Sequence, residues 1–219
     1  MRALVLGADD AIVSTASLMI GIAASSESMA SKSAILVAGV AALFAGAMSM
    51  AVGEFVSVSS QRDAEKADIE REKAELAGEP AAELDELAAI YVKRGLDPEL
   101  AMSVAKQLTA QDQLGAHMRD ELGIDHEQLA RPFQAAWISA ASFATFAVLP
   151  VAALLIVPRR WSIVSIAAIS LGGLALLGAF GGHLGGASRT RAALRVTIGG
   201  ALAMGITAGI GRLLGVAIG

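Results

Sequence analysis

One stretch limits what this chain can fold into. From Gly39 to Gln61 the sequence GVAALFAGAMSMAVGEFVSVSSQ is apolar enough to cross a bilayer, and it passes directly into the acidic run RDAEKADIEREKAE. No Pro or Gly interrupts residues 55–75, so a single helix is expected to leave the membrane and carry a row of carboxylates into water. Met50 and Glu54 are four residues apart and share one face of that helix near its exit. A thioether and a carboxylate beneath a comb of further carboxylates point to a path for a divalent metal ion.

The rest of the chain fits that reading. Its 219 residues are 55 % hydrophobic, above the roughly 45–50 % of ordinary soluble domains. Charge is confined to the middle: of 21 acids, only Asp9, Asp10, Glu27 and Glu54 lie outside residues 62–131. Apolar runs of the length a bilayer requires, about 20 residues, occupy 3–24, 33–60, 133–157, 162–186 and 196–218. The expectation is an all-α polytopic membrane protein. Residues 1–61 supply transmembrane helices 1 and 2, 62–130 an acidic cytoplasmic helical domain, and 131–219 helices 3–5. The start MRALVLGADDAIVST does not read as a signal peptide, because two acids interrupt its apolar run. Five spans put the termini on opposite sides. Arg189, Arg191 and Arg195, against Arg159 and Arg160, place the N-terminus and the acidic segment in the cytoplasm.

No cysteine is present, so any metal site must use oxygen, imidazole or thioether. The bases are scattered among acids without aromatic platforms, which argues against nucleic acid. Neither a nucleophile–base pair nor a phosphate loop appears, which argues against an enzyme. Recurrent small residues, including Gly39, Gly46, Gly172 and Gly200, allow helices to pack closely in lipid. Five helices are few to enclose a pathway, so a homodimer with a shared path is expected.

The acidic segment divides at its punctuation. The long helix ends at Gly78. A second starts with Pro80 and stops at Gly95, and Asp97-Pro98 caps a third that runs to about Leu108. Thr109 with Asp112 resembles a capping box for a fourth ending at Gly123. Leu84, Leu87, Tyr91, Leu100, Val104 and Leu108 are the expected small core.

Glu65, Asp68, Glu72 and Glu75 form a stripe on the first of these helices, and Glu79, Glu83 and Glu86 repeat the spacing on the next. Glu70 has Lys66 and Lys73 as neighbours and Glu75 has Arg71, but Glu72 and Glu83 have no cation three or four residues away. A divalent ion between the helices would relieve that repulsion; a solvated acidic face is the alternative the spacing leaves open. His117, Met118 and Glu121 lie on one side of the last helix, where imidazole or thioether beside carboxylates favours transition metals over Ca²⁺ and Mg²⁺. In the membrane, Asp10 marks an ion or proton path. Asp9 is expected nearer the water, though both acids could simply begin the helix. Met48 and Met50 face different ways, and His183 reads as a packing hydrogen-bonder rather than a ligand.

The runs LGADDAIVSTASLMIG, AGVAALFAGAMSMAVGEFVSVSSQRD and ELAAIYVKRGLDPELAMSVAKQLT resemble the vacuolar iron transporter family, which includes plant vacuolar, yeast and bacterial Fe²⁺/Mn²⁺ transporters. The ending RAALRVTIGGALAMGITAGIGRLLG is similar to its bacterial branch, which implies a bacterial inner membrane. The resemblance implies five membrane helices, a homodimer with the ion path at its interface, and export of Fe²⁺ or Mn²⁺ against inward proton flow, with Zn²⁺ or Co²⁺ as further candidate ions. It places a membrane aspartate at Asp10, a membrane methionine at Met50, and cytoplasmic metal-binding glutamates at Glu72, Glu75, Glu83, Glu86 and Glu121. Its paired methionines fall on His117 and Met118. The chain departs from the family at Asp9-Asp10-Ala11, where Asn-Asp-Gly is common, at Ala3 and Ala42, where some plant members carry acids, and at His117. The second functional reading is a membrane-tethered metal buffer or sensor that transports nothing.

Overall fold

The computed structural model describes residues 2–25, 31–124 and 130–218; most of the loop expected at 25–32 lies outside them. Among the described residues the chain is all-α, with seven helices: α1 (Arg2–Ser25), α2 (Lys32–Gly78), α3 (Pro80–Lys93), α4 (Pro98–Asp120), α5 (Pro132–Leu155), α6 (Ser162–Leu184) and α7 (Arg189–Ile218). A single turn of 3₁₀ helix, Arg159–Trp161, joins α5 to α6. Five of the seven, α1, α2, α5, α6 and α7, are long and apolar enough to cross a membrane. The chain divides into two compact units, residues 1–55 with 133–219, and residues 56–132.

In the first unit α1 is the central helix. Ile12, Ala16, Met19 and Ile20 are buried among Ile35 of α2, Ala153 and Leu154 of α5, Ile166 and Leu174 of α6, and Met204 of α7. Val13 lies near Gly200, and Gly21 lies against Thr207 and Gly211, so α1 and α7 run parallel. Their backbones meet with no side chain between them at Gly21 and Gly211, where a Cβ on Gly211 would overlap the Gly21 carbonyl. That closeness is what small residues provide in lipid, where packing rather than water exclusion holds helices together. α2 and α5 run antiparallel: Phe143 fills the space where Gly46 has no side chain. At the far end Lys32 Nζ donates to the carbonyls of Leu155 (3.2 Å) and Val157 (2.8 Å), which the end of α5 leaves without helical partners.

Large apolar side chains line the outside of this unit: Phe44, Met48, Leu202 and Ile206 are each more than half exposed. In water that would be costly, but hydrocarbon requires no cover for them. The five spans and these faces describe an integral multi-pass membrane protein.

The second unit comprises the polar end of α2, α3 and α4. Its core is Leu87 and Ala88 of α3 with Ala105 and Ala116 of α4, bordered by Leu84, Tyr91, Met102 and Leu108. Leu100, expected in that core, is instead 52 % exposed, because alanines rather than leucines face α3. Gly95 closes α3 at φ 104°, a conformation that disfavours any side chain. Asp97 accepts from the backbone N–H groups of Glu99 (2.9 Å) and Leu100 (3.2 Å) and starts α4 as expected. The next break differs from the expected cap at Thr109. It falls at Asp112, whose backbone leaves the helix (φ −158°, ψ 90°). Its carboxylate accepts from Gly115 N–H at 3.0 Å, so Asp112 is itself the N-cap of the following turns.

Candidate metal centre

Three helices each bring an acid to one imidazole. Glu72 comes from α2, Glu83 from the first turn of α3, and His117 from the last turns of α4, with Glu121 just past the end of that helix. His117 Nδ1 lies 2.9 Å from Glu121 Oε2, 3.0 Å from Glu72 Oε1 and 3.8 Å from Glu83 Oε2. One donor atom from each of the four falls within 4.8 Å of the others. With metal–oxygen and metal–nitrogen bonds near 2.1 Å, neighbouring donors sit about 3.0 to 3.4 Å apart and opposite ones about 4.2 Å. The cluster is therefore already close to the size of a coordination sphere.

The charges do not cancel internally. His117 is fully buried, Glu72 is 2 % exposed and Glu83 is 8 % exposed, while the Glu121 side chain is a quarter exposed. Even a protonated imidazole would offset only one of the three carboxylates. Burial, and then the charge of Glu121, push the Glu72 carboxyl up to about 6. Burial, and then Glu86, raise Glu83. Buried carboxylates in such surroundings favour anything that removes negative charge, whether a proton or a cation. His117 Nε2 is also buried and has no hydrogen-bond partner among the described residues.

Glu75 and Glu86 stand outside this group. Both are exposed, and each adds repulsion to the cluster from nearby. Met118 is fully buried beside His117. The intrahelical pairings expected for the flanking acids hold in part: Lys73 meets Glu70 at 2.7 Å, but Arg71 pairs with Asp68 at 3.3 Å rather than with Glu75.

A second group, which spacing along the chain did not reveal, sits beside the cluster. Asp120 accepts from Tyr91 Oη (2.8 Å) and from Arg94 Nη1 (2.6 Å), and its carbonyl accepts from Arg94 Nη2 (3.0 Å). Arg119 adds a contact at 2.7 Å, and the Arg94 guanidinium lies 5.2 Å from the centre of the Tyr91 ring. Burial pulls Asp120 upward, but the hydrogen bonds from Arg94, Arg119 and Tyr91 outweigh it and hold its carboxyl down at about 2. Twenty-six residues separate Arg94 from Asp120, so only folding brings them together.

In the membrane unit, Asp9 and Asp10 lie two turns inside α1, which begins at Arg2 with no acid in its first turn. They do not cap the helix. Nor is Asp9 the more watery of the two: it is half-buried, with one carboxylate oxygen enclosed and unpartnered among the described residues. Asp10 and Ser14, one turn apart, are both exposed, so two polar side chains open on the outside of an apolar bundle, on a face that Leu18 continues. Ala11 joins Phe143 and Ala147 in a cluster that Met50, Leu43 and Ala47 border. The turn carrying Asp10 and the part of α2 carrying Met50 thus belong to neighbouring helices. Met48 is 63 % exposed, Met50 half-buried, and Glu54 half-buried. His183 Nδ1 meets Arg189 Nη2 at 2.9 Å, a hydrogen-bonding role.

Comparison with known proteins places the chain among membrane transporters. Residues 1–212 match the VIT family. The sequence is 50 % identical to the vacuolar iron transporter of Acanthamoeba castellanii over 97 % of this chain and 78 % of that protein. It is 39 % identical to vacuolar iron transporter homolog 5 of Oryza sativa subsp. japonica, over 97 % of this chain and 79 % of the relative. With vacuolar iron transporter homolog 2 of Arabidopsis thaliana it shares 34 % identity over 98 % and 84 % of the two chains.

Proposed function

The chain belongs to the VIT family, and on that premise we propose that it exports Fe²⁺ or Mn²⁺ from the cytosol in exchange for protons. The observation that carries this reading is the uncancelled negative charge of Glu72, Glu83 and Glu121 around His117. A site that pays to bury carboxylates without cations is built for one that arrives from outside. Mixed oxygen and nitrogen donors suit Fe²⁺ and Mn²⁺, and also accept Zn²⁺ or Co²⁺.

In the proposed cycle residues 62–130 face the cytosol, the N-terminus lies on the same side, and the membrane is a bacterial plasma membrane. The exposed Glu75 and Glu86 attract the ion, and Met118 adds a soft donor beside His117. Asp10, Met50 and Glu54 then bind the ion within the membrane, with Asp9 close by. An outward-facing Asp10 is costly against lipid, which supports a homodimer whose two α1 helices turn this face toward each other across a wet path. Metal binding requires deprotonated ligands, so protons and ions compete for the same carboxylates, and exchange couples their flows.

The test is ion uptake into proteoliposomes under an imposed pH gradient, with Fe²⁺, Mn²⁺ and Zn²⁺ in parallel. Wild-type protein should load vesicles in proportion to the gradient, and Asp10→Asn or Met50→Ala should abolish loading while leaving the protein folded. Metal binding without uptake would instead make the chain a membrane-tethered buffer or sensor.

A further inference from the structure

The metal cluster depends on a short piece of helix. After the break at Asp112, eight residues of α4 lead to Asp120, with His117 within them and Glu121 directly after them. The Asp112 carboxylate fixes the start of this piece through Gly115 N–H. Its end closes on itself through backbone bonds alone, Ile124 N–H to the Met118 carbonyl at 2.7 Å and Leu122 N–H to the His117 carbonyl at 3.2 Å, about Gly123 at φ 66°. What ties this end to α3 is the Asp120 group: Tyr91 and Arg94, both at the end of α3, grip the Asp120 side chain and main-chain carbonyl together.

We propose that Asp120 is a positioning residue for metal binding, a clamp that sets where His117 and Glu121 stand relative to Glu83. The proposal rests on the metal-binding reading of the cluster. Three observations carry it. The clamp joins the same two helices, α3 and α4, that supply Glu83 and His117. It grips the residue adjacent to Glu121, and it lies less than one helical turn beyond His117. Asp120 is also the one acid at this end of α4 unsuited to be a ligand, since both its carboxylate oxygens are already taken by cationic or hydroxyl donors. A carboxylate so neutralised adds little charge to a crowded anionic site while still holding its frame. Supports of metal ligands of this kind typically change affinity by about 10- to 100-fold when removed.

The experiment uses the full chain in lipid nanodiscs and Co²⁺ as the probe, because Co²⁺ absorption reports coordination geometry as well as occupancy. Asp120→Asn keeps the size and loses the charge-assisted bonds; it should weaken Co²⁺ binding by about tenfold and alter the position or intensity of the visible bands. Tyr91→Phe removes one hydrogen bond and leaves the ring beneath Arg94, so it should shift the bands in the same direction by less. It also serves if the Asn variant does not fold. A loss confined to thermal stability, with wild-type affinity and spectrum in whichever variant folds, overturns the clamp. Glu72→Gln with Glu83→Gln separates the two readings. If that pair abolishes Co²⁺ binding while the clamp variants bind normally, the clamp alone is wrong. If the pair also binds normally, the metal centre and the clamp fall together.

Discussion

Glu72→Gln should make the metal-free protein more stable and the metal-bound protein weaker. The Glu72 carboxyl is pushed up to about 6 from an ordinary value of 4.5, and the side chain is almost fully buried. A difference of that size corresponds to a cost of about 2 kcal/mol for holding the charged form in the fold. The sign follows from proton linkage. The folded state binds this proton more tightly than the unfolded state. The cost is therefore fully present above the folded pKa, and it disappears as pH falls below the unfolded one. Gln mimics the protonated form, so it should recover about 2 kcal/mol at neutral pH and less than about 1 kcal/mol near pH 5. Hydrogen exchange in EDTA, followed on peptides from α3 and α4, reads this locally: protection should rise by about 30-fold at neutral pH and only a few-fold near pH 5. With saturating Mn²⁺ the ranking should reverse, because the wild type regains through the ion what it loses by charge burial. A drop in protection at neutral pH without metal would show that Glu72 is held by ordinary hydrogen bonding, and the argument for a site awaiting a cation would fail.

Other consequences can be tested on the same preparation. Lys32→Met leaves the carbonyls of Leu155 and Val157 without their charged donor, and should cost about 1.5–3 kcal/mol, seen as a lower melting temperature in detergent. Gly46→Val drives a side chain into the Phe143 ring; overpacking of this kind costs about 1–3 kcal/mol, and Phe143→Ala in the same chain should restore much of it in a double-mutant cycle. Asp112→Ala removes the cap on Gly115 and should cost about 0.5–2 kcal/mol, with faster exchange confined to residues 113–121.

Apolar runs of bilayer length and the punctuation at Gly78, Pro80, Gly95 and Asp97 make the helices readable along the chain, because each depends on local chemistry. The pairing of Glu72 and Glu83 with His117 was half legible. Their lack of a cation three or four residues away showed that relief had to come from elsewhere; that the imidazole of His117 belongs with them came only from the family resemblance, not from the spacing. Asp120 with Arg94 was invisible, since no periodicity connects residues so far apart. The spacing makes Asp112 look like part of a box begun by Thr109, because both residue types favour helix starts; the choice falls to Asp112, whose carboxylate accepts from the Gly115 N–H. Asp9 and Asp10 are adjacent and chemically identical, so only the rotation of α1 against its neighbours tells which is enclosed.

The bare meeting of α1 and α7 at Gly21 and Gly211 has a practical corollary for anyone wishing to watch this protein move. Cysteine introduced at either glycine for a fluorophore or spin label would act as a wedge, and the signal would describe the damage instead of the cycle. Reporters belong on the outward face of α7, at Leu202 or Ile206, where a bulky tag replaces a side chain that already extends from the bundle.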